Sequence, residues 1–296
     1  MLAPIEEIFC EIDDFCNEIL QDEEKFLLAN PKRQRQRKNT LSRSELMTLM
    51  VLFHLSAYRT MKDFYNQCVL GSLRPYFPTF VSYNRFVELQ KQTIVYLIIF
   101  LQRMPKEQTG IYYVDATKLP VCHIKRTKSN KVFKGLGKLG KTTTGWFFGF
   151  KLHLVINHKG EIMSFFLSPG NTDDRKPLLK LFKDLVGFAF GDKGYIGKKW
   201  AEKLHASGIN FITTLKNNMQ KKLLKPLEKQ LLRKRGVIET VIDILKHTCH
   251  ISHTRHRSPD NFLANLVSGL VAYMFRPNKP KINTSQLTYL PILTSN

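Results

Sequence analysis

The chain has 296 residues, of which 43% are hydrophobic, enough for one large domain with its own core and a smaller one attached. Lys plus Arg number 46 and Asp plus Glu 24, and nine of those 24 acids lie in residues 1–24, which hold no Lys or Arg. The remainder therefore carries 46 basic against 15 acidic residues, an excess of +31 that points to a polyanion, nucleic acid first. The longest nearly uninterrupted apolar run, Ile94 to Leu101, is far short of the roughly 20 residues that cross a bilayer, which excludes a helical membrane span.

The N-terminus is acidic where a secretory signal is basic. Five cysteines, Cys10, Cys16, Cys68, Cys122 and Cys249, are scattered without a C-x-x-C pair. Both features suit a reducing cytoplasm better than a secreted disulfide framework, and a cytoplasmic protein is expected.

From the N-terminus, residues 5–28 repeat apolar positions at helical spacing with the acids on the other side. PKRQRQRK, residues 31–38, follows as a basic run that breaks the helix and offers Arg33, Arg35 and Arg37 to DNA. From Leu41, LSRSELMTLMVLFHLSAYRT predicts a second helix with Ser42 as N-cap and Glu45 three residues on, a capping box. Helical patterns continue to about residue 105, so residues 1–105 are expected to form an all-helical N-terminal domain, with a helix-turn-helix around 41–90 as one arrangement. Compact helical modules of this kind bind proteins as well as DNA.

After Gly110 the period changes. IYYVDATKLPVCH, WFFGFKLHLVINH and EIMSFFLSPG are rich in β-branched and aromatic residues and bounded by turn residues, which predicts three consecutive strands. DDRKPLLKLFKDLV predicts an amphipathic helix, FAFG a strand, KKWAEKLHASG a helix and NFITTLK a strand. A helix over about Lys229–His247 and another opening at Ser258 with Pro259 in the first position complete the series. The order β-β-β-α-β-α-β-α-α describes an α/β domain over 106–280 with a mixed sheet and helices on its faces, ahead of an irregular tail at 281–296.

KGLGKLGKTTTG, residues 134–145, matches both the P-loop pattern G-x-x-x-x-G-K-T and the fingerprint G-x-G-x-x-G. A P-loop needs a strand before its glycines and a helix after them, and here a loop-like KRTKSNKVFK precedes and a strand follows. What remains is a connection from Lys125 to Lys141, expected to be mobile, with seven Lys or Arg and no acid. Lys134, Lys138 and Lys141 within it are suited to clamping phosphodiester backbones without reading sequence.

Three acids stand out in so basic a chain. Asp115 sits in an otherwise apolar strand, where Asp is disfavoured, and is either a satisfied structural residue or a site acid. Asp192, in GDKGY, follows the next βα strand at the edge where α/β sheets hold ligands, although the segment also fits an ordinary turn. Glu239 lies in line with Arg235, Asp243 and Lys246 at i, i+4, i+8 and i+11, on a face that also reads as solvated ion pairs. Three such carboxylates could bind two Mg²⁺ and catalyse in-line phosphoryl transfer without a protein nucleophile.

The stretch YVDATKLPVC, GDKGY around Asp192, and R-x-x-x-E-x-x-x-x-x-x-K from Arg235 through Glu239 to Lys246 together resemble the signature of DDE transposases of bacterial insertion sequences. GFKLHL (149–154), SPGNTDD (168–174) and HTRHRS (253–258) are similar to insertion-sequence family nine-eighty-two in particular, and the likeness runs from about residue 41 to 280. The resemblance implies an RNase H-like fold and metal ligation by Asp115, Asp192 and Glu239, with Mg²⁺, or Mn²⁺, as two ions. It also implies that Arg235, Lys246 and Lys193 hold phosphates, that a homodimer assembles on element ends, and that water cleavage precedes 3′-hydroxyl transfer into target DNA in a bacterial nucleoid. Relatives have Tyr three residues before the Arg, where this chain has Leu232. The 47 residues from Asp192 to Glu239 leave no room for a large inserted domain.

Asp173 and Asp174 rival the three acids as ligands, though a first-turn Asp is more often a cap. Lys151 and His153 alternate along a strand in a way consistent with a face toward the site, although a packed core residue is the favoured reading of His153. Cys249, His253 and His256 lack a paired ligand motif and fit DNA contacts better than zinc. A nuclease without strand transfer, and a relative that binds DNA without cutting it, are the remaining readings of the same residues.

Overall fold

The structure is a computed structural model and describes residues 4–28, 40–214, 224–253 and 256–283. In chain order the helices are α1 (Ile5–Leu28), α2 (Arg43–Leu55), α3 (Met61–Asp63), α4 (Tyr83–Gln90) and α5 (Ile94–Arg103). The strands β1 (Ile111–Cys122), β2 (Lys138–Thr142), β3 (Gly145–Asn157) and β4 (Ile162–Pro169) follow, then α6 (Leu178–Leu181), β5 (Gly187–Gly191), α7 (Lys198–Ala206) and β6 (Ile209–Thr213). The last helices are α8 (Pro226–Arg233), α9 (Gly236–Asp243) and α10 (Pro259–Met274). No helix among the described residues is long and apolar enough to cross a membrane.

Two packing units form, and neither is contiguous in sequence. Among the described residues the helical unit takes 4–28, 40–104, 245–252 and 256–277, and the sheet unit takes 105–214, 224–244, 253 and 278–283. In the helical unit α2 starts as its local sequence dictates. Ser42 Oγ accepts the Glu45 N–H at 3.1 Å while Glu45 accepts the Ser42 N–H at 2.6 Å, so the capping box closes in both directions. Helix α10 is buried all round from Ala264 to Met274, which is why its sequence has no polar stripe and why it lies against α2 and α5. His54 bridges this core, with Nδ1 2.5 Å from the Cys249 carbonyl and Nε2 2.9 Å from Ser268 Oγ.

The sheet unit holds one six-stranded mixed sheet in the order β2-β3-β1-β5-β6, with β4 also on β3. Strand β3 runs antiparallel to β1, β2 and β4, whereas β1, β5 and β6 are parallel neighbours. Alternation sends Tyr112 and Val114 to one face, where they join Val155, Leu178, Phe182, Ala189 and Leu204 in a core. Tyr113 points to the other face, stacks on Phe190 at 5.4 Å and donates its hydroxyl to the Leu231 carbonyl of α8 at 3.1 Å.

Three expectations change. The basic stretch ends in strand β2, and its earlier part is a series of tight turns pinned by Phe133, which is fully buried and edge-on to Phe150. The connection is thus a folded pad rather than a mobile loop, and no helix follows its glycines. The helix expected from DDRKPLLKLFKDLV shrinks to the four residues of α6, because Pro177 disfavours helix before it and Asp184 has φ 64 behind it. The single helix expected over Lys229–His247 is broken between α8 and α9, where Leu231 and Leu232 carbonyls are taken by short-range turns, Tyr113 adds a second claim on Leu231, and Gly236 weakens continuation.

Glycine matters most at Gly149, beside the bulge that shifts the β1–β3 register between Pro120 and Cys122. A Cβ there would run into the Leu119 carbonyl oxygen and meet the Val121 nitrogen at 3.0 Å, whereas one at Gly145 (φ 110) would meet nothing within 4 Å. Urea denaturation is expected to show Gly149→Ala losing about 3 kcal/mol or more and Gly145→Ala about 1 kcal/mol, the second from backbone strain alone. Equal losses would show that the strand approach at Gly149 is not what requires glycine.

Candidate active site

The parallel register of β1 on β5 pairs Ile111 with Phe188, Tyr112 with Ala189 and Tyr113 with Phe190. The same offset of 77 residues brings Asp192 level with Asp115, one residue past the end of β5. Both follow the odd-numbered face of β1 marked by Tyr113 and the even-numbered face of β5 marked by Phe190, the face under α8 and α9. Two carboxylates thus project side by side from neighbouring strands.

Their local bonds differ. Asp115 Oδ1 accepts the Ala116 N–H at 2.8 Å, and among the described residues its carboxylate has no other hydrogen bond or ion pair. Asp192 is the N-cap of the tight turn Lys193–Tyr195; its Oδ1 accepts the Lys193 N–H at 2.6 Å and the Thr214 hydroxyl at 3.2 Å. Glu239 lies in the first turn of α9, more than half exposed, and pairs with Arg235 at 2.8 Å. Arg235 is itself largely buried, which a guanidinium tolerates only beside acceptors.

Burial pushes the Asp115 carboxyl from its ordinary 3.8 up to about 6, the Ala116 N–H and the Arg235 charge pull it back, and Glu239 and Asp192 add repulsion. All three acids and Arg235 therefore share one electrostatic neighbourhood. Among the described residues no group of three His, Cys, Asp or Glu closes tightly enough to hold an ion, and Glu239 is turned to Arg235. The donor set still suits a hard cation: it is all carboxylate oxygen, and Asp115 keeps an oxygen without a partner.

The rival acids are otherwise engaged. Asp174 pairs with Lys151 at 2.8 Å, and the Arg175 guanidinium holds the Asp173 carboxyl down at about 2. Lys151 and His153 pair in register with Lys118 and Ala116, so they project from the face opposite Asp115, and His153 is fully buried, as the core reading expects. Burial lowers the His153 imidazole to about 4, with Asp174 opposing and Lys151 adding, and its Nε2 bonds Ser168 Oγ at 2.7 Å.

Among the cations, Lys193 is exposed in the Asp192 turn, and Lys134, Lys138 and Lys141 are exposed on the basic pad. Lys128, Lys131, Lys134 and Lys138 rim a cavity of about 420 Å³ floored by Phe148, and Lys141 Nζ lies 5.6 Å from the exposed Trp146 ring. Lys246 falls in the wide helical turn Ile244–Thr248 and belongs to the helical unit. Arg33, Arg35 and Arg37 lie outside the described residues. Burial pushes the Cys249 thiol up to about 11, away from the thiolate that zinc requires. Tyr195, which ends the turn that Asp192 caps, is buried in the core with Val114 and Leu204; its only signal in the sequence is an aromatic at the end of a glycine-bounded turn.

A mixed sheet with paired strand carboxylates under an acid-bearing helix, in a strongly basic chain, is an α/β domain suited to chemistry on phosphodiesters. The family model described as a transposase DDE domain matches residues 105–259, just over half of the chain, and the chain belongs to that family. No curated protein matches the chain in sequence. Among solved structures, the piggyBac transposase synaptic complex with hairpin DNA is 10% identical over 91% of this chain and 72% of that one, with a TM-score of 0.44. The Mos1 mariner paired end complex with Mn is 12% identical over 83% and 81%, and that with Mg 15% over 82% and 80%, with TM-scores of 0.24 and 0.23. At these scores the assignment rests on the family match.

The Asp115 carboxyl holds its proton more tightly folded, at about 6, than unfolded, near 3.8. Its contribution to stability is therefore complete below pH 3.8 and lost as pH rises through 6. In metal-free protein, Asp115→Asn is expected to raise urea stability at about pH 7.5 by on the order of 2 kcal/mol and by almost nothing at about pH 4. A gain that does not change with pH would contradict the desolvated carboxyl.

Proposed function

We propose that the protein cuts DNA at the ends of its own insertion sequence and joins the freed 3′-hydroxyl to target DNA. Asp115, Asp192 and Glu239 are the carboxylate set that holds divalent metal, Mg²⁺ or Mn²⁺, as two ions. The observation that carries this reading is the level placement of Asp115 and Asp192 on one face of parallel strands, with the Asp115 carboxyl short of both water and donors. When bound, such ions supply Lewis-acid polarisation of the phosphodiester and a lowered pKa for the attacking water.

The chain's own groups do the rest. Asp115 and Asp192 fix the oxygen donors on rigid strands. Glu239, on the first turn of α9, completes the set once it exchanges Arg235 for the cation, and the freed guanidinium then faces a phosphate with the fork geometry that suits it. Lys193 adds charge near the cut strand, and Lys246, in the helical unit, is a further cation for DNA. The pad lysines hold the flanking backbone, a role supported by their clustering around one cavity with no acid among the seven Lys and Arg of residues 125–141.

The strand order β4-β3-β1-β5-β6, with β1, β5 and β6 parallel, supports an RNase H-like catalytic fold. The helical unit and the arginines of residues 31–38 recognise the element ends, and two copies bring two ends together. Membership of insertion-sequence family nine-eighty-two and a bacterial nucleoid setting belong to the same proposal, supported by the GFKLHL and SPGNTDD segments.

Labelled DNA carrying the element ends tests it, with Mg²⁺ and a target plasmid. Wild type is expected to cut the ends and join them. Asp115→Asn, Asp192→Asn and Glu239→Gln are each expected to lose at least about a hundredfold in both steps while still shifting the DNA. Full activity in all three overturns the assignment, and cutting without joining converts the protein into a nuclease.

A further inference from the structure

We propose that Thr214 is a positioning residue for Asp192: its hydroxyl holds one carboxylate oxygen so that the other is presented to divalent metal. The inference rests on the reading of Asp192 as a metal ligand and extends the site to the neighbouring strand β6, which carries no acid of its own.

Strands β5 and β6 pair in parallel from Gly187 with Ile209 to Gly191 with Thr213, an offset of 22 residues. Asp192 and Thr214 continue that offset one residue past both strand ends, and there the Thr214 hydroxyl donates to Asp192 Oδ1 at 3.2 Å. Together with the offset of 77 between β1 and β5, this sets Asp115, Asp192 and Thr214 in a row across three parallel strands. Phe190 and Ile212 pair two residues earlier, so alternation turns Thr214 to the face that carries both acids.

Asp192 Oδ1 also accepts the Lys193 N–H at 2.6 Å, but that amide belongs to the turn that Asp192 itself caps and moves with it. The Thr214 hydroxyl ties the same oxygen to a neighbouring strand. Both donors fall on Oδ1, so among the described residues Oδ2 has no hydrogen bond or ion pair and is left for a cation. Asp115 is arranged in the same way, with Oδ1 on the Ala116 N–H and its other oxygen open. The two acids differ in backbone support. Asp115 lies within β1, paired with Leu154 of β3, whereas Asp192 lies beyond the end of β5, and Thr214 supplies the hold that strand pairing gives Asp115. Valine has nearly the shape of threonine and suits a strand as well, so packing does not call for the hydroxyl. A separation of 3.2 Å is long for a hydroxyl donor, as is common at sites whose bonds tighten only when the ligand arrives. A donor on one oxygen of a ligating carboxylate sets the direction of the other, and losing it weakens metal binding.

The test is Mn²⁺ titration of the full chain, without DNA, by calorimetry and by loss of the free-ion electron paramagnetic resonance signal, with metal-free melting temperatures recorded alongside. The site is the Mn²⁺ binding that Asp192→Asn removes from wild type. Thr214→Val, which keeps the shape and loses the hydroxyl, is expected to weaken that binding about tenfold, and Thr214→Ser, which keeps the hydroxyl, to hold it within about twofold. Both are expected to melt within a few degrees of wild type without metal, and Thr214→Ala takes the place of Thr214→Val should the latter not fold. Wild-type affinity in Thr214→Val overturns this inference alone and leaves the metal site standing. Equal weakening in Thr214→Ser also overturns it, because the hydroxyl is then not what matters. So does a weakening matched by a large loss of metal-free melting temperature, because Thr214 then serves the fold and not the ligand. A wild type that binds no Mn²⁺, or an Asp192→Asn that binds it normally, overturns the inference together with the proposed metal site.

Discussion

Parallel pairing of β1 with β5 sets the position of two of the three acids at the candidate site. An offset of 77 residues, fixed by three backbone pairs, determines that Asp192 arrives level with Asp115 rather than a residue above or below it. A slip of one residue would turn Asp192 to the opposite face, away from α8 and α9. The pairing is in turn locked by side chains of the same face: Tyr113 stacks on Phe190 and reaches the Leu231 carbonyl, so the strands cannot shift without losing a buried aromatic pair and a hydrogen bond. Core packing beneath the helices and placement of the carboxylates are one constraint.

Charge is arranged around that constraint in a way that tolerates the absence of metal. Asp115 holds a proton more readily than an exposed carboxyl, Glu239 is paired by Arg235, and Asp192 Oδ1 accepts from Lys193 in its own turn and from Thr214. Two of these arrangements are readily reversed, since the Glu239 end of its pair is more than half exposed and a carboxyl at about 6 is ionised at neutral pH. The break between α8 and α9 makes Arg235 the N-cap residue of α9, with Glu239 in the first turn behind it.

Local chemistry was legible in the sequence wherever one segment decides its own shape. Ser42 with Glu45, and Ser258 with Pro259, marked helix starts because capping is settled within four residues. Strands β1, β3 and β4 were legible from their β-branched and aromatic content. KLGKT was not, since a basic, glycine-containing segment becomes strand β2 only by pairing with Gly145–Gly149. The break before Gly236 was hidden because the apolar stripe continues across it, and the competing claim on Leu231 comes from Tyr113, 118 residues away. For the site, the three acids could be singled out by residue type, and the resemblance grouped them. The register that levels two of them and the partner that holds the third are properties of the fold, which no linear pattern carries.

The most direct measurement is a crystal structure of the protein with DNA ends and Mn²⁺, with anomalous scattering recorded to locate the metal. The account places an anomalous peak within about 2.3 Å of carboxylate oxygens from both Asp115 and Asp192, with Glu239 released from Arg235 and turned to the same cluster. A peak bound elsewhere, or Asp115 and Asp192 sharing no ion in the DNA-bound protein, would contradict it.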